Sequence, residues 1–342
     1  MKRYTLPLLL LAAICVFTSA RRAEALVLPA ADSGFAVTYG DFYSYSLPIL
    51  AAFLGSDYDV QSTVGLIKND VVIATGASGV PVNENFVGMD NAYPTPGGAS
   101  GGDTFDTGTV TDPAPVLPND RADSWDATIG SLMTFLNGES PIFFFNNTQE
   151  NSDDSLNQNL WVWAQIEIWS STDDSADSIY YELTSTNHDG SGTFGGDPYG
   201  YEAHVYDNPG FTPDTPDALP TDYVLSGGDV CLDGGGSPVD CGSADVVYGP
   251  FPHNLGSDRA AYAVVSPELN DFLFGWDGDS PYDMLSIKIK MASLNGGYEQ
   301  AYIMPGTLLT TTVVPEPSTW LLLGLGLLAL LAMVTVRRLR RA

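Results

Sequence analysis

The residues able to do covalent or metal chemistry are few, and their spacing limits them. The 342 residues include three histidines and three cysteines. His188, His204 and His253 form neither an HxH nor an HExxH pair, so no zinc site is spelled locally. His204 shares a strand face with Glu202, which leaves acid–base or metal work open there. Gly98-Ala99-Ser100-Gly101-Gly102 has the GxSxG spacing of a nucleophile elbow. Such an elbow needs a strand before it and a helix after it. Here Pro94 and Pro96 precede and a Gly/Thr/Asp run follows, so no catalytic residue is assigned and the chain is read as a non-enzyme.

Carboxylates are the abundant resource. Asp153/Asp154, Asp173/Asp174/Asp177 and Asp277/Asp279/Asp283 cluster in loop-like sequence, and calcium takes six to eight such oxygens. Trp276-Asp277-Gly278-Asp279-Ser280 starts like a calcium loop. The EF-hand glycine position falls on Tyr282 and the bidentate glutamate position on Lys288, which excludes an EF-hand. An irregular calcium site at Asp277, Asp279 and Asp283 is the one cofactor considered. A carboxylate pair could also hydrolyse glycosides, but so many acids single out no pair.

Leu160 to Trp169 reads LWVWAQIEIW. Alternation puts Leu160, Val162, Ala164, Ile166 and Ile168 on one face, as core. Trp161, Trp163, Gln165, Glu167 and Trp169 share the other. That face reads either as a carbohydrate platform on Trp161, Trp163 and Trp169 or as part of a second core. Cys231 and Cys241 flank the nine-residue loop LDGGGSPVD, which predicts a local disulfide in an oxidising compartment.

These groups need a scaffold. Asp outnumbers Glu 32 to 10, and 35 Gly and 23 Pro accompany them. Asp, Gly and Pro favour turns over helices. Period-2 or continuous β-rich runs recur at Phe35–Tyr39, Thr63–Ile67, Val71–Ala74, Ile142–Phe145, Leu160–Trp169, Ile179–Thr184, Tyr201–Tyr206, Asp222–Leu225, Val246–Tyr248, Ala260–Val265, Met284–Ala292 and Tyr298–Ile303. Lys68-Asn69-Asp70 and Asn295-Gly296-Gly297 read as hairpin turns. Ile129, Leu132, Met133 and Leu136 predict a helix, capped by Asp123 or Ser124 and ended by Gly138. A second short helix is expected over Pro267–Phe274. The expectation is an all-β fold, an antiparallel sandwich or jelly-roll-like body with one or two short helices. Residues 94–120 and 207–222 read as Pro-rich excursions, and no 20–50-residue repeat is seen.

The termini hold most of the positive charge. Eight of 13 basic residues lie there, leaving Lys68, Arg121, Arg259, Lys288 and Lys290 against 40 acids and a body charge of −35. Such a body is no nucleic-acid binder, because phosphates need Lys and Arg. Residues 1–25 read as a signal peptide with Lys2 and Arg3, an apolar run from Leu6 to Phe17, and a cleavage site at Ala23-Glu24-Ala25. A cut after Ala20 is the alternative. The Sec translocon and signal peptidase are the expected partners. Val314-Pro315-Glu316-Pro317-Ser318 precedes 18 uncharged residues, Thr319 to Val336, long enough for a transmembrane helix. Arg337, Arg338, Arg340 and Arg341 follow, which keeps that end cytoplasmic.

A Pro-Glu-Pro box, an apolar span and a terminal Arg cluster resemble the PEP-CTERM protein-sorting tail, also labelled an ice-binding protein C-terminal domain. The resemblance covers residues 313–342. It implies a Gram-negative bacterium that makes exopolysaccharide, recognition by an exosortase at Pro315, Glu316 and Pro317, and release to the cell surface or matrix. The body, residues 26–312, is read as one extracytoplasmic β-rich domain. Its Phe143–Asn147 and His253–Gly256 stretches resemble other proteins with this tail that have no assigned activity. The expectation is an exported, non-enzymatic structural or carbohydrate-interacting matrix protein, with a secreted polysaccharide hydrolase as the alternative.

Overall fold

The computed structural model describes residues 25–309 apart from 77–82, 84–85, 97–103, 112, 114–116, 118–120, 149–159, 174–175, 185–223, 227–228, 240, 293 and 295–296. The segment expected as a signal peptide with Ala23, the sorting tail, Gly98–Gly102, His188, His204, the Tyr201–Tyr206 run and the Trp161 side chain lie outside that set; Ala25, the other residue expected at the cleavage site, falls just inside it. The chain divides at Leu309/Thr310 into two compact units, and every described residue belongs to the first. Among the described residues no helix is long and apolar enough to cross a membrane.

The strands are β1 (Leu26–Leu28), β2 (Ala36–Tyr39), β3 (Phe42–Ser46), β4 (Val71–Thr75), β5 (Tyr93–Pro94), β6 (Thr104–Asp106), β7 (Trp125–Thr128), β8 (Ser140–Asn146), β9 (Leu160–Trp169), β10 (Ile179–Leu183), β11 (Val224–Ser226), β12 (Asp229–Leu232), β13 (Pro238–Val239), β14 (Tyr248–Pro252), β15 (Ala260–Val265), β16 (Met284–Ala292) and β17 (Ala301–Leu308). The helices are α1 (Leu47–Leu54), α2 (Val64–Ile67), α3 (Ile129–Leu136) and α4 (Pro267–Gly275). The first sheet runs β2-β3-β15-β8-β17-β4-β5, with β1 beside β17. The second runs β10-β9-β16-β6, with β11 beside β9 and β7 beside β16. A small third sheet runs β13-β12-β14.

Alternation on β8 explains the layering. Its seven residues are all buried. Phe143 and Phe145 join the core shared with Ala164, Ile166 and Ile168 of β9 and Leu285, Ile287 and Ile289 of β16. Ile142 and Phe144 point the other way, into a cluster with Leu47 and Leu50 of α1. A central strand covered on both faces reads as a continuous apolar run. The body is therefore a mainly β sandwich with helix cover on one sheet. Where β5 stops short, the buried Asn83 side chain finishes the edge of β4. It accepts from the Val72 amide at 2.9 Å and donates to the Val72 carbonyl at 2.6 Å.

Several expectations are corrected. β1 pairs with β17 and β4 with β5 in parallel, so the sheets are not purely antiparallel. Four helices are present among the described residues. The Thr63–Ile67 run forms α2 rather than a strand, because a short apolar run carries no decisive period. Lys68–Asp70 therefore leads from helix to strand and is no hairpin. The segment after β16 crosses between sheets, because β16 and β17 pair in different ones. The α3 helix is capped by Thr128, which accepts from the Ser131 amide at 3.3 Å. Asp123 and Ser124 are too early, since β7 occupies the intervening residues. Asn137 in the left-handed conformation then ends the helix, just before Gly138. Ile129, Leu132 and Leu136 are buried as their spacing demands, each side chain contributing about 1.5–3 kcal/mol.

Candidate functional site

The inner face of the first sheet opens at its β2-β3-β15 edge. On β3, Phe42 packs into the shared core, while Ser44 and Ser46 continue that face along the wall of a cavity of about 690 Å³. Ala36, Val37 and Tyr39 of β2 and Tyr262 and Val264 of β15 extend the wall. Phe145, Val162 and Leu183 reach it from β8, β9 and β10. The third sheet closes it with Val230, Leu232, Gly234–Ser237 and Tyr248, and α1 adds Ile49 and Phe53. Among the described residues the lining contains no Asp, Glu, Lys or Arg.

Ser46 sits where strand becomes helix. Its Oγ accepts from the Ile49 amide at 3.3 Å as the α1 N-cap. It also lies 2.7 Å from His253 Nε2. His253 Nδ1 is 2.9 Å from the Phe251 carbonyl, which can only accept, so the neutral ring carries its proton on Nδ1. Nε2 is then the acceptor, and Ser46 donates to it. The imidazole is fully buried and stacks on Tyr262 with ring centroids 5.0 Å apart. Outside this pair, Phe53 meets Phe35, Tyr248 and Phe251 at centroid distances of 5.3–6.1 Å, an aromatic rim.

The third sheet is held by a Cys231–Cys241 disulfide with Cα atoms 5.1 Å apart, as the spacing predicts. Cys231 lies on β12 between two cavity-lining residues, so the bond also holds that wall. Replacing both cysteines by serine should lower stability by about 2–3 kcal/mol, because the unfolded loop is no longer closed. Thermal unfolding with and without reductant checks this. The reduced parent should melt with the double variant, and an unchanged melting temperature would refute the assignment.

The outer face of β9 is covered. Trp163 and Trp169 are 3% and 8% exposed, so neither offers the open ring of a sugar platform. The second-core alternative describes them. The Trp169 indole donates to Ser286 Oγ at 2.7 Å, and the Arg121 guanidinium lies 4.2 Å above its ring. Arg121 also pairs with Glu167, which accepts from Ser178 at 2.6 Å and Tyr180 at 3.1 Å. Lys288 pairs with Asp123 at 2.7 Å and Lys290 with Asp106 at 3.2 Å. Three of the five bases in the body thus serve this polar layer.

Of the aspartates proposed for calcium, the Asp277 and Asp283 carboxylates already accept hydrogen bonds. Asp277 Oδ1 closes a turn with the Asp279 amide at 3.0 Å. Both Asp283 oxygens accept from Ser171, from its amide and from its hydroxyl. Among the described residues no group of three or more His, Cys, Asp or Glu side chains is set to hold a metal ion. Of the three histidines the sequence offered acid–base work at His204 rather than His253, and it gave Ser46 no role. The available signal was Ser46-Leu47-Pro48, a helix cap with proline in the first turn, but nothing local ties it to a histidine 207 residues away.

Fold and cavity together define a mainly β sandwich with an uncharged recess at its edge. The chain belongs to the family described as Domain of unknown function (DUF8239), whose model matches residues 26–290. Residues 313–341 match the PEP-CTERM protein-sorting motif, which bears out the resemblance read in the tail. No curated protein and no solved structure matches the chain. The motif implies an exosortase as processing enzyme, export, and transient membrane-anchored sorting to the cell surface.

Proposed function

We propose that this protein is a non-enzymatic component of the exopolysaccharide matrix of a Gram-negative bacterium, where it is structural or interacts with carbohydrate. The observation that carries the reading is the PEP-CTERM motif at residues 313–341, behind a mainly β body. The −35 charge of that body supports it, since strong like charge keeps an exported protein soluble and off anionic lipid. The uncharged cavity supports a contact with neutral glycan. A catalytic role would require product release.

Two measurements test the reading. Replacing Pro315, Glu316 and Pro317 together by alanine should leave the Arg-tailed full-length chain in the membrane fraction, as loss of the exosortase should. Normal release of the variant would sink the sorting assignment. The released protein should co-sediment with the host's own exopolysaccharide without freeing sugar. Liberated oligosaccharide would replace the matrix reading with that of a secreted hydrolase, and absence of co-sedimentation would refute carbohydrate interaction.

A further inference from the structure

Charge and polarity set what the cavity can hold. The body carries −35, yet among the described residues the cavity lining holds no Asp, Glu, Lys or Arg, and its one histidine, His253, accepts at Nε2 from Ser46. An anion would meet no counter-charge among them and the repulsion of the whole body. A cation would find no carboxylate among them. The described wall therefore suits a neutral occupant. The volume of about 690 Å³ lies within the usual range of small-ligand sites.

The wall combines flat rings with hydroxyls. Tyr39, Phe53 and Tyr248 offer aromatic surface, and Phe53 and Tyr248 are 44% and 41% exposed at the rim. Exposed rings of this size on a chain so acidic are a contact surface waiting for apolar groups. Ser33, Ser44, Ser46 and Ser237 also line it. The Ser46 proton is committed to His253 and one lone pair to the Ile49 amide, so one acceptor site of the Ser46 oxygen is left for a ligand. It selects a ligand that brings its own O–H donor.

We propose that the cavity between the β2-β3-β15 edge, α1 and the third sheet binds a neutral sugar residue, its C–H faces against the aromatic rings and a hydroxyl donating to Ser46. The proposal rests on the carbohydrate-interacting reading above and gives it a site. An alkyl chain would leave the lining serines without a partner, whereas a hydroxylated ligand can use them.

The test uses the full-length chain in detergent, titrated with neutral mono- and disaccharides by calorimetry. Two variants act at the rim. Ser237→Trp fills the mouth from an exposed loop whose local hydrogen bonds use the Ser237 backbone, and Phe53→Ala removes a half-exposed ring. At least one neutral saccharide should bind saturably, and both variants should weaken it by about tenfold or more, with melting temperatures near the parent's. Sugar binding unaffected by both variants would overturn the site. So would uptake of the uncharged dye Nile red that no saccharide displaces, which would make the cavity lipophilic. Matrix co-sedimentation separates the two levels: if it survives Ser237→Trp undiminished, the cavity proposal falls and the matrix reading stands. If the parent fails to co-sediment at all, the carbohydrate-interacting reading falls.

Discussion

Replacing Arg121 by alanine is expected to destabilise the body by about 3 kcal/mol, the low end of the cost of stranding a buried charge. The Glu167 side chain is only 6% exposed, while Arg121 is 32% exposed and gives water partial access once it is removed. Ser178 and Tyr180 still donate to the carboxylate, but neither neutralises it. The loss also strips the guanidinium from the face of Trp169. Denaturant unfolding reads the result as a lower midpoint at unchanged slope. Arg121→Lys should not restore the parent, because an ammonium cannot both stack on the indole and reach the carboxylate as a planar fork does. Adding Glu167→Gln to Arg121→Ala should recover most of the stability. If the single variant loses less than about 1 kcal/mol, the pair is behaving as an ordinary surface bridge.

A comparable effect is expected from pH, and its direction opposes ordinary acid denaturation. Burial pushes the Asp70 carboxyl from 3.8 up to about 7. Burial likewise raises Glu299 from 4.5 to about 7, with its own backbone amide and the Thr148 hydroxyl pulling part of that back. Folding therefore favours the protonated form of each. The stability this contributes is complete below pH 4, where both states are protonated, and is lost as pH rises through about 7. Each pKa unit is worth about 1.4 kcal/mol, so ionising either group costs the folded state about 2–4 kcal/mol. Unfolding followed from pH 5 to pH 8 should show the parent weakening over that window. Asp70→Asn and Glu299→Gln should each flatten the curve, gaining most at pH 8 and clearly less at pH 5, nearer the carboxyls' unfolded values. Equal effects at both pH values would show that these carboxyls ionise freely in the folded chain. The test is sharp because Asp70 stands at the start of β4 beside Tyr302, where its charge raises the phenol further.

How much could be read in advance follows the range of each interaction. The faces of β9 were legible because alternation is a property of neighbouring residues: Val162, Ala164, Ile166 and Ile168 are core as expected. The α3 stripe was legible for the same reason. The α1 helix was missed because LPILAAFL is apolar around its whole circumference and shows no stripe, while its cap, Ser46, is also the last residue of β3. The outer face of β9 resisted because exposure is not a strand property. Trp163 and Trp169 have the types and spacing of a platform, and only their cover made them core.

The order of residues alone settled what acts over short separations. The charge balance, the sorting motif at residues 313–341 and the mainly β character are of this kind. So is the disulfide, whose cysteines stand ten positions apart around a glycine turn. Tertiary structure decided which strands share a sheet, where Arg121 finds its carboxylate, and that Ser46 and His253 meet in an uncharged recess. Those pairings join residues 46 to 207 positions apart. Local propensity cannot rank such contacts, because each depends on how the whole sandwich distributes burial and leaves one edge open.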